Sequence, residues 1–158
     1  MPHGAQELLS DVSAALVAEV LHRFGEARLR VNGGSMYPIV RSGDTITVRH
    51  CHAGDLHDGD IVLLRDGHRL FAHRLLTVRL DAGARLDRTD ENAGRWLMTR
   101  GDSHWRRDPV RPASALIGRV VSLTRDDVLI DGPFELSWWN RARGLVCSAW
   151  IDVRRSLS

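Results

Sequence analysis

Four residues of this chain are of the types that together perform nucleophilic hydrolysis. Ser35 lies in the glycine-rich segment Gly33-Gly34-Ser35-Met36-Tyr37-Pro38, His73 lies within a strand-like run, and Asp102 and Asp108 come later. A serine hydroxyl is a weak nucleophile and needs a base within hydrogen-bond reach. A histidine can accept that proton, and a buried carboxylate can hold its other nitrogen. Taken alone, Ser35 is as typical of a serine in a turn as of a nucleophile. His73 taken alone is more typical of a half-buried strand histidine than of a catalytic base.

The basic residues of the chain narrow this chemistry further. All 22 are arginine, so the chain contains no lysine. A serine activated by a lysine is therefore excluded, and histidine is the base that the sequence offers. The net charge of +2 is too small to indicate a nucleic-acid partner, and we find no DNA-binding motif.

Three separated segments resemble the signal peptidases and their self-cleaving repressor relatives in order and spacing. They cover roughly residues 31–123: Gly33 to Pro38 with Arg41-Ser42-Gly43-Asp44; Gly59-Asp60-Ile61-Val62 with Ala72-His73-Arg74; Thr99-Arg100-Gly101-Asp102 with Asp108-Pro109-Val110 and Ile117 to Val121. His73 stands where most bacterial members carry lysine. The chain is therefore most similar to the archaeal and endoplasmic-reticulum branch, which is described as using serine, histidine and aspartate.

The resemblance implies a role for each site residue. Ser35 is the expected nucleophile and His73 the general base and acid, while either aspartate could orient the imidazole. Asp108 is favoured, since the following proline restricts it to an extended geometry, whereas Asp102 could instead stabilise its own turn. Gly34, Met36 and Pro38, which belong to the same loop, are the expected substrate contacts.

One position departs from the family pattern. Relatives usually carry a serine two residues before the nucleophile, where its hydroxyl contributes to the oxyanion hole, and this chain has Gly33 there. Loss of one such donor can lower turnover by about 10²–10³. Backbone N–H groups around Ser35 are the expected substitutes, because the glycines allow a substrate to approach closely.

The pattern of apolar residues predicts a mainly β fold with a helix at each end. A helical stripe over residues 5–24, which Gly25 can end, is formed by Leu8, Val12, Leu16, Val20 and Phe24 and is widened by Leu9 and Leu21. Short β-type runs then follow, and Asp66-Gly67 predicts a hairpin. These runs indicate a curved antiparallel sheet or partly closed barrel. The expected strands are Thr45 to Val48, Ile61 to Leu64, Leu70 to Leu80, Trp96 to Thr99, Leu116 to Leu123 and Val128 to Ile130.

We therefore divide the chain into an N-terminal helix (1–30), a catalytic β domain (31–133) and a C-terminal helix rich in Trp and Arg (134–158). The last helix is expected to pack on the β domain or on a protein partner, with peripheral membrane contact as the alternative. No signal peptide and no apolar run long enough to span a bilayer is seen. A cytoplasmic or peripherally membrane-associated protein is the resulting expectation.

Neither a metal nor a cofactor is expected. His50, Cys51, His52 and His57 are potential zinc ligands. However, alternation along a strand would place Cys51 on the face opposite to its two neighbouring histidines.

The predicted function is that of a serine endopeptidase. It would process a peptide or precursor protein, as in leader- or signal-peptide removal, through an acyl-enzyme. The resemblance implies that the substrate binds as an added strand with small residues before the cut. The alternatives are a non-catalytic peptide-binding module that keeps the fold and a self-cleaving regulator.

Overall fold

The computed structural model describes residues 4–83 and 89–136, with side chains from Ala14 onward. One helix is followed by eight strands in this part of the chain. They are α1 Gly4–Phe24, β1 Glu26–Arg30, β2 Thr45–Arg49, β3 Ile61–Asp66, β4 Arg69–Leu80, β5 Arg95–Arg100, β6 Arg111–Pro112, β7 Leu116–Arg125 and β8 Val128–Asp131. The mainly β prediction with an N-terminal helix is confirmed. The helix predicted from residue 134 falls almost entirely outside the described residues.

The strands form one curled antiparallel sheet in the order β1-β2-β7-β3-β4-β5-β6, and β8 pairs with β7. The predicted hairpin is present, because β3 and β4 pair in register from Ile61 with Arg74 to Asp66 with Arg69. On its other side, β4 pairs with β5 from Arg74 onward. Within the described residues, the β4 segment from Arg69 to His73 therefore has an open edge.

The first four residues of the central strand β3, Ile61 to Leu64, are buried on both faces, which explains why all four are apolar. Ile61 and Leu63 belong to an apolar cluster that includes helix α1. Val62 and Leu64 belong to a second cluster, with β5 and the start of β7. Each such buried aliphatic side chain contributes about 1.5–3 kcal/mol.

The predicted face of α1 is correct at Leu21, which is buried, and wrong at Leu16 and Phe24, which are 56% and 77% exposed. Ala14 and Val17 are buried in their place. The contact face therefore follows spacings of three and four residues, and not the spacing of four on which the predicted stripe was centred. The predicted end of the helix is correct, since Gly25 has a φ of +77° and its N–H donates to the Leu21 carbonyl at 2.9 Å.

Candidate active site

The Ser35 loop connects β1 to β2, and its two ends are joined by hydrogen bonds from the Val31 N–H to the Asp44 carbonyl at 2.8 Å and from the Gly43 N–H to the Val31 carbonyl at 2.9 Å. At the β2 end, Asp44 is 3% exposed and accepts two hydrogen bonds from the Arg125 guanidinium of β7, at 2.9 and 2.6 Å. The backbone N–H of Arg41 donates to the same carboxylate at 2.8 Å. Burial acts to raise the pKa of Asp44, but these hydrogen bonds and charges outweigh it and lower the pKa below its usual value.

Ser103 fixes the loop at the nucleophile itself. Its hydroxyl donates to the carbonyls of Gly34 and Ser35 at 3.0 Å each, and its backbone N–H donates to the Ser35 carbonyl at 3.0 Å. Ser103 is 5% exposed. No sequence pattern indicates this role, since a serine after a Gly-Asp turn is common in loops.

Gly101 allows the Ser35 loop and His104 to pack closely together. A Cβ atom at Gly101 would lie 2.7 Å from the Ser35 carbonyl oxygen and 2.8 Å from His104 Nδ1. The His104 ring in turn meets the His73 ring edge-to-face, with centroids 5.4 Å apart. A continuous set of contacts therefore connects the Ser35 loop with His73.

His73 and Asp108 are joined directly. His73 lies on β4, is 7% exposed, and its Nδ1 is 2.5 Å from Asp108 Oδ2. Thr99 on β5 donates its hydroxyl to the same oxygen at 2.7 Å, and its backbone carbonyl accepts from the Asp108 N–H at 2.9 Å. Asp108 is thus fixed by both its backbone and its side chain before it contacts the imidazole. Thr99 is a further site residue that the sequence analysis did not single out.

The surroundings of Asp108 stabilise the ionised form of its carboxyl group. Burial acts to raise the pKa of its carboxyl group. The hydrogen bonds from His73 and Thr99, together with the charges of His73 and Arg111, outweigh burial and lower the pKa. The carboxylate is therefore ionised at neutral pH and can stabilise a positive charge on the imidazole.

Asp102 is engaged elsewhere. Its two carboxylate oxygens accept from Arg74 Nε at 2.7 Å and from Arg74 Nη2 at 2.8 Å. Arg74 also donates to the carbonyls of Gly59 and Phe134, at 2.7 and 2.6 Å. Because both oxygens of Asp102 bind this buried guanidinium, the structure brings Asp108 and not Asp102 to His73.

A cavity of about 230 Å³ lies beside Ser35. Ser35 and Met36 line it together with Phe71 and Ala72, the two residues that precede His73. Its remaining walls are mostly apolar and come from β1, β2, β3 and the loop after β1. The open edge of β4 runs along this cavity.

The three predicted substrate contacts lie in different places. Met36 is buried and lines the cavity beside Ser35, and Gly34 is exposed on the loop. Pro38 is buried and lines a separate cavity with Arg41 and Arg125. The structure therefore does not bring Pro38 to the space that Ser35 faces.

A family model described as Peptidase S24-like matches residues 11–121. The chain belongs to the Peptidase S24-like family. The match contains Ser35, His73, Asp102 and Asp108, and family membership supports a serine peptidase or self-cleaving repressor fold. The finer assignment to the archaeal and endoplasmic-reticulum signal peptidases rests on the sequence resemblance alone. A comparison with curated proteins gives no significant match.

No described helix of this Peptidase S24-like chain is long and apolar enough to cross a membrane. His50 and His52 have adjacent rings, with centroids 5.3 Å apart. Among the described residues, neither belongs to a group of three or more side chains placed to hold a metal ion.

Proposed function

We propose that the chain is a serine endopeptidase in which Ser35 is the nucleophile, His73 the general base and acid, and Asp108 the residue that orients His73. The observation that carries this proposal is the His73–Asp108 hydrogen bond at 2.5 Å, which the hydroxyl of Thr99 reinforces. His73 lies on β4, and the two residues before it on that strand line the same cavity as Ser35. Membership of the Peptidase S24-like family supports the same chemistry.

The reaction proceeds in two steps. Ser35 Oγ attacks the scissile carbonyl carbon while His73 accepts the hydroxyl proton, and the Asp108 carboxylate stabilises the imidazolium. His73 then donates the proton to the leaving amine, which departs as the acyl-enzyme forms. A water molecule, deprotonated by His73, hydrolyses the ester and regenerates Ser35. Backbone N–H groups of the loop take the place of the side-chain oxyanion donor that Gly33 cannot supply.

The open edge of β4 supports an extended peptide as substrate. Its backbone N–H and C=O groups between Arg69 and His73 face no strand of the described chain on the β5 side. An added peptide strand would satisfy these groups and direct one side chain into the cavity beside Ser35. Because Met36, Ala72 and neighbouring apolar groups line this cavity, we expect an uncharged side chain there. Processing of a leader or precursor peptide fits this mode. A separate part of the proposal is that the C-terminal segment 134–158 contacts a membrane surface or a protein partner.

Cleavage of a peptide library, read by mass spectrometry, tests the proposal. The wild-type protein is compared with Ser35→Ala and with Ser42→Ala, which removes an exposed hydroxyl from the same loop. We expect discrete cleavage by the wild type and Ser42→Ala, and none by Ser35→Ala. Products that persist in Ser35→Ala would overturn the assignment of the nucleophile. A folded wild type that binds peptides without cutting them would favour the peptide-binding module, and fragments of the chain itself would favour the self-cleaving regulator.

A further inference from the structure

Three potential metal ligands converge at the rim of the site. One ligand atom each of His73, His104 and Asp108 lies within 4.8 Å of the other two. Among the described residues, this is the one group of three or more His, Cys, Asp or Glu side chains so placed. The peptidase mechanism uses His73 and Asp108 but gives no part to His104.

The geometry of this group suits a transition-metal ion. Zinc–nitrogen and zinc–oxygen distances of about 2.0–2.2 Å place tetrahedral ligand atoms about 3.3–3.6 Å apart. The 4.8 Å limit is wider than that spacing, so the exposed His104 would turn towards the other two side chains, and the 2.5 Å hydrogen bond between His73 Nδ1 and Asp108 Oδ2 would open to admit the ion. His73 is held on β4 and Asp108 is held by Thr99, so two of the three ligands are already fixed.

The donor set also selects the class of ion. Two imidazoles and one carboxylate suit Zn²⁺ and similar borderline ions, whereas Mg²⁺ and Ca²⁺ prefer oxygen ligands. The charge of Arg111 acts on Asp108, and two further arginines, Arg106 and Arg107, directly precede Asp108 in the sequence. Their positive charges weaken the binding of any cation. This limits affinity without changing the preference for nitrogen ligands.

We propose that His73, His104 and Asp108 form an inhibitory site for a divalent transition-metal ion of the Zn²⁺ class. The ion takes one ligand atom from each side chain, so His73 no longer accepts the Ser35 proton and Asp108 no longer orients His73. Its removal by a chelator restores the peptidase. The inhibition rests on the proposed function, but the binding of the ion does not.

Zinc binding is measured first, without turnover, by competition with a chromophoric zinc indicator on protein that carries no histidine tag. We expect one ion per chain at this site and an affinity at least about tenfold lower in His104→Ala. The control is His50→Ala, which alters the separate His50–His52 ring pair and leaves the affinity unchanged. Equal zinc affinity in the wild type and His104→Ala, or no binding by folded wild type, overturns the site.

Serine-probe labelling or peptide cleavage with and without Zn²⁺ then tests the inhibition. Each variant is compared with itself, as the ratio of its rates with zinc and with chelator. We expect zinc to lower the rate of the wild type and of His50→Ala, and to affect His104→Ala at least about tenfold less at the same concentration. Zinc binding that depends on His104, in a protein without Ser35-dependent activity, would preserve the metal site and remove the peptidase. Ser35-dependent activity that zinc leaves unchanged at a saturating concentration would preserve the peptidase and overturn the inhibition.

Discussion

The two aspartates of the site give opposite expectations for the same isosteric change. Asp108→Asn removes the charge that faces His73 Nδ1, and Asp102→Asn removes the charge that faces the Arg74 guanidinium. We expect Asp108→Asn to lower the rate of the chemical step with a small effect on folding. We expect Asp102→Asn to lower stability with a small effect on the rate per folded molecule.

The magnitudes follow from the contacts. A hydrogen bond to a charged group contributes about 1.5–3 kcal/mol, and each 1.36 kcal/mol of barrier is tenfold in rate. Loss of the charged acceptor at His73 therefore slows acylation by about 10–10², and an asparagine that favours the wrong imidazole tautomer extends this to about 10⁴. Removing the charge of Asp102 leaves the buried Arg74 guanidinium with neutral acceptors only, and the loss of its counter-charge costs about 3–5 kcal/mol of folding free energy.

Two measurements on each variant separate these effects. The second-order rate constant for labelling by a fluorophosphonate probe reports the reactivity of the serine, and urea unfolding followed by circular dichroism reports the free energy of unfolding. The rate is expressed per folded molecule. If Asp108→Asn were labelled at the wild-type rate while folded Asp102→Asn were not labelled, the assignment of Asp108 would be refuted.

Three further changes test the supporting structure. Gly33 has a φ of +114°, so Gly33→Ser should cost about 1–3 kcal/mol of folding free energy even though no atom lies within 4 Å of its Cβ position. The control Gly34→Ser has the same space without a positive φ and should cost little. Equal unfolding midpoints for the two variants would contradict this. Ala72→Leu should fill part of the cavity beside Ser35 and lower kcat/KM most for substrates with larger side chains, and a uniform loss across a peptide series would argue against this subsite. Because the native pKa of Asp44 is lowered, the stability that it contributes is present above its unfolded pKa of about 3.9 and is lost as pH falls through the native value. The free energy of unfolding of Asp44→Asn should therefore fall less steeply with decreasing pH than that of the wild type. Parallel curves for the two proteins would exclude this role.

The elements that the sequence predicted well are those with a local physical signal. Gly25 ends α1 because glycine adopts the positive φ required there, and Asp66-Gly67 forms the hairpin that places His73 on β4. By contrast, β1 and the two-residue β6 were missed. β1 is Glu26–Arg30 with its charged residues exposed, and pairing with β2, which local sequence does not reveal, makes it a strand.

The candidate site shows the same division. Its residue types were visible in the sequence, but their partners depend on tertiary contacts. The preference for Asp108 rested on the following proline, whereas the structure distinguishes the aspartates by Arg74, which occupies both oxygens of Asp102. The contact of Ser103 with the Ser35 loop joins residues 69 positions apart, which no spacing rule predicts. The contact of Thr99 with Asp108 spans only nine positions, but it depends on how the loop after β5 folds back on that strand.

The most direct test of the central proposal is to locate the covalent adduct that a serine-reactive probe forms. Wild type, Ser35→Ala, His73→Ala and Ser42→Ala are incubated with a fluorophosphonate, and the modified residue is identified by tandem mass spectrometry. We expect a single adduct on Ser35 in the wild type and in Ser42→Ala, none in Ser35→Ala, and labelling at least about 10²-fold slower in His73→Ala. An adduct on another serine, or equal labelling of folded His73→Ala, would contradict a nucleophilic Ser35 activated by His73.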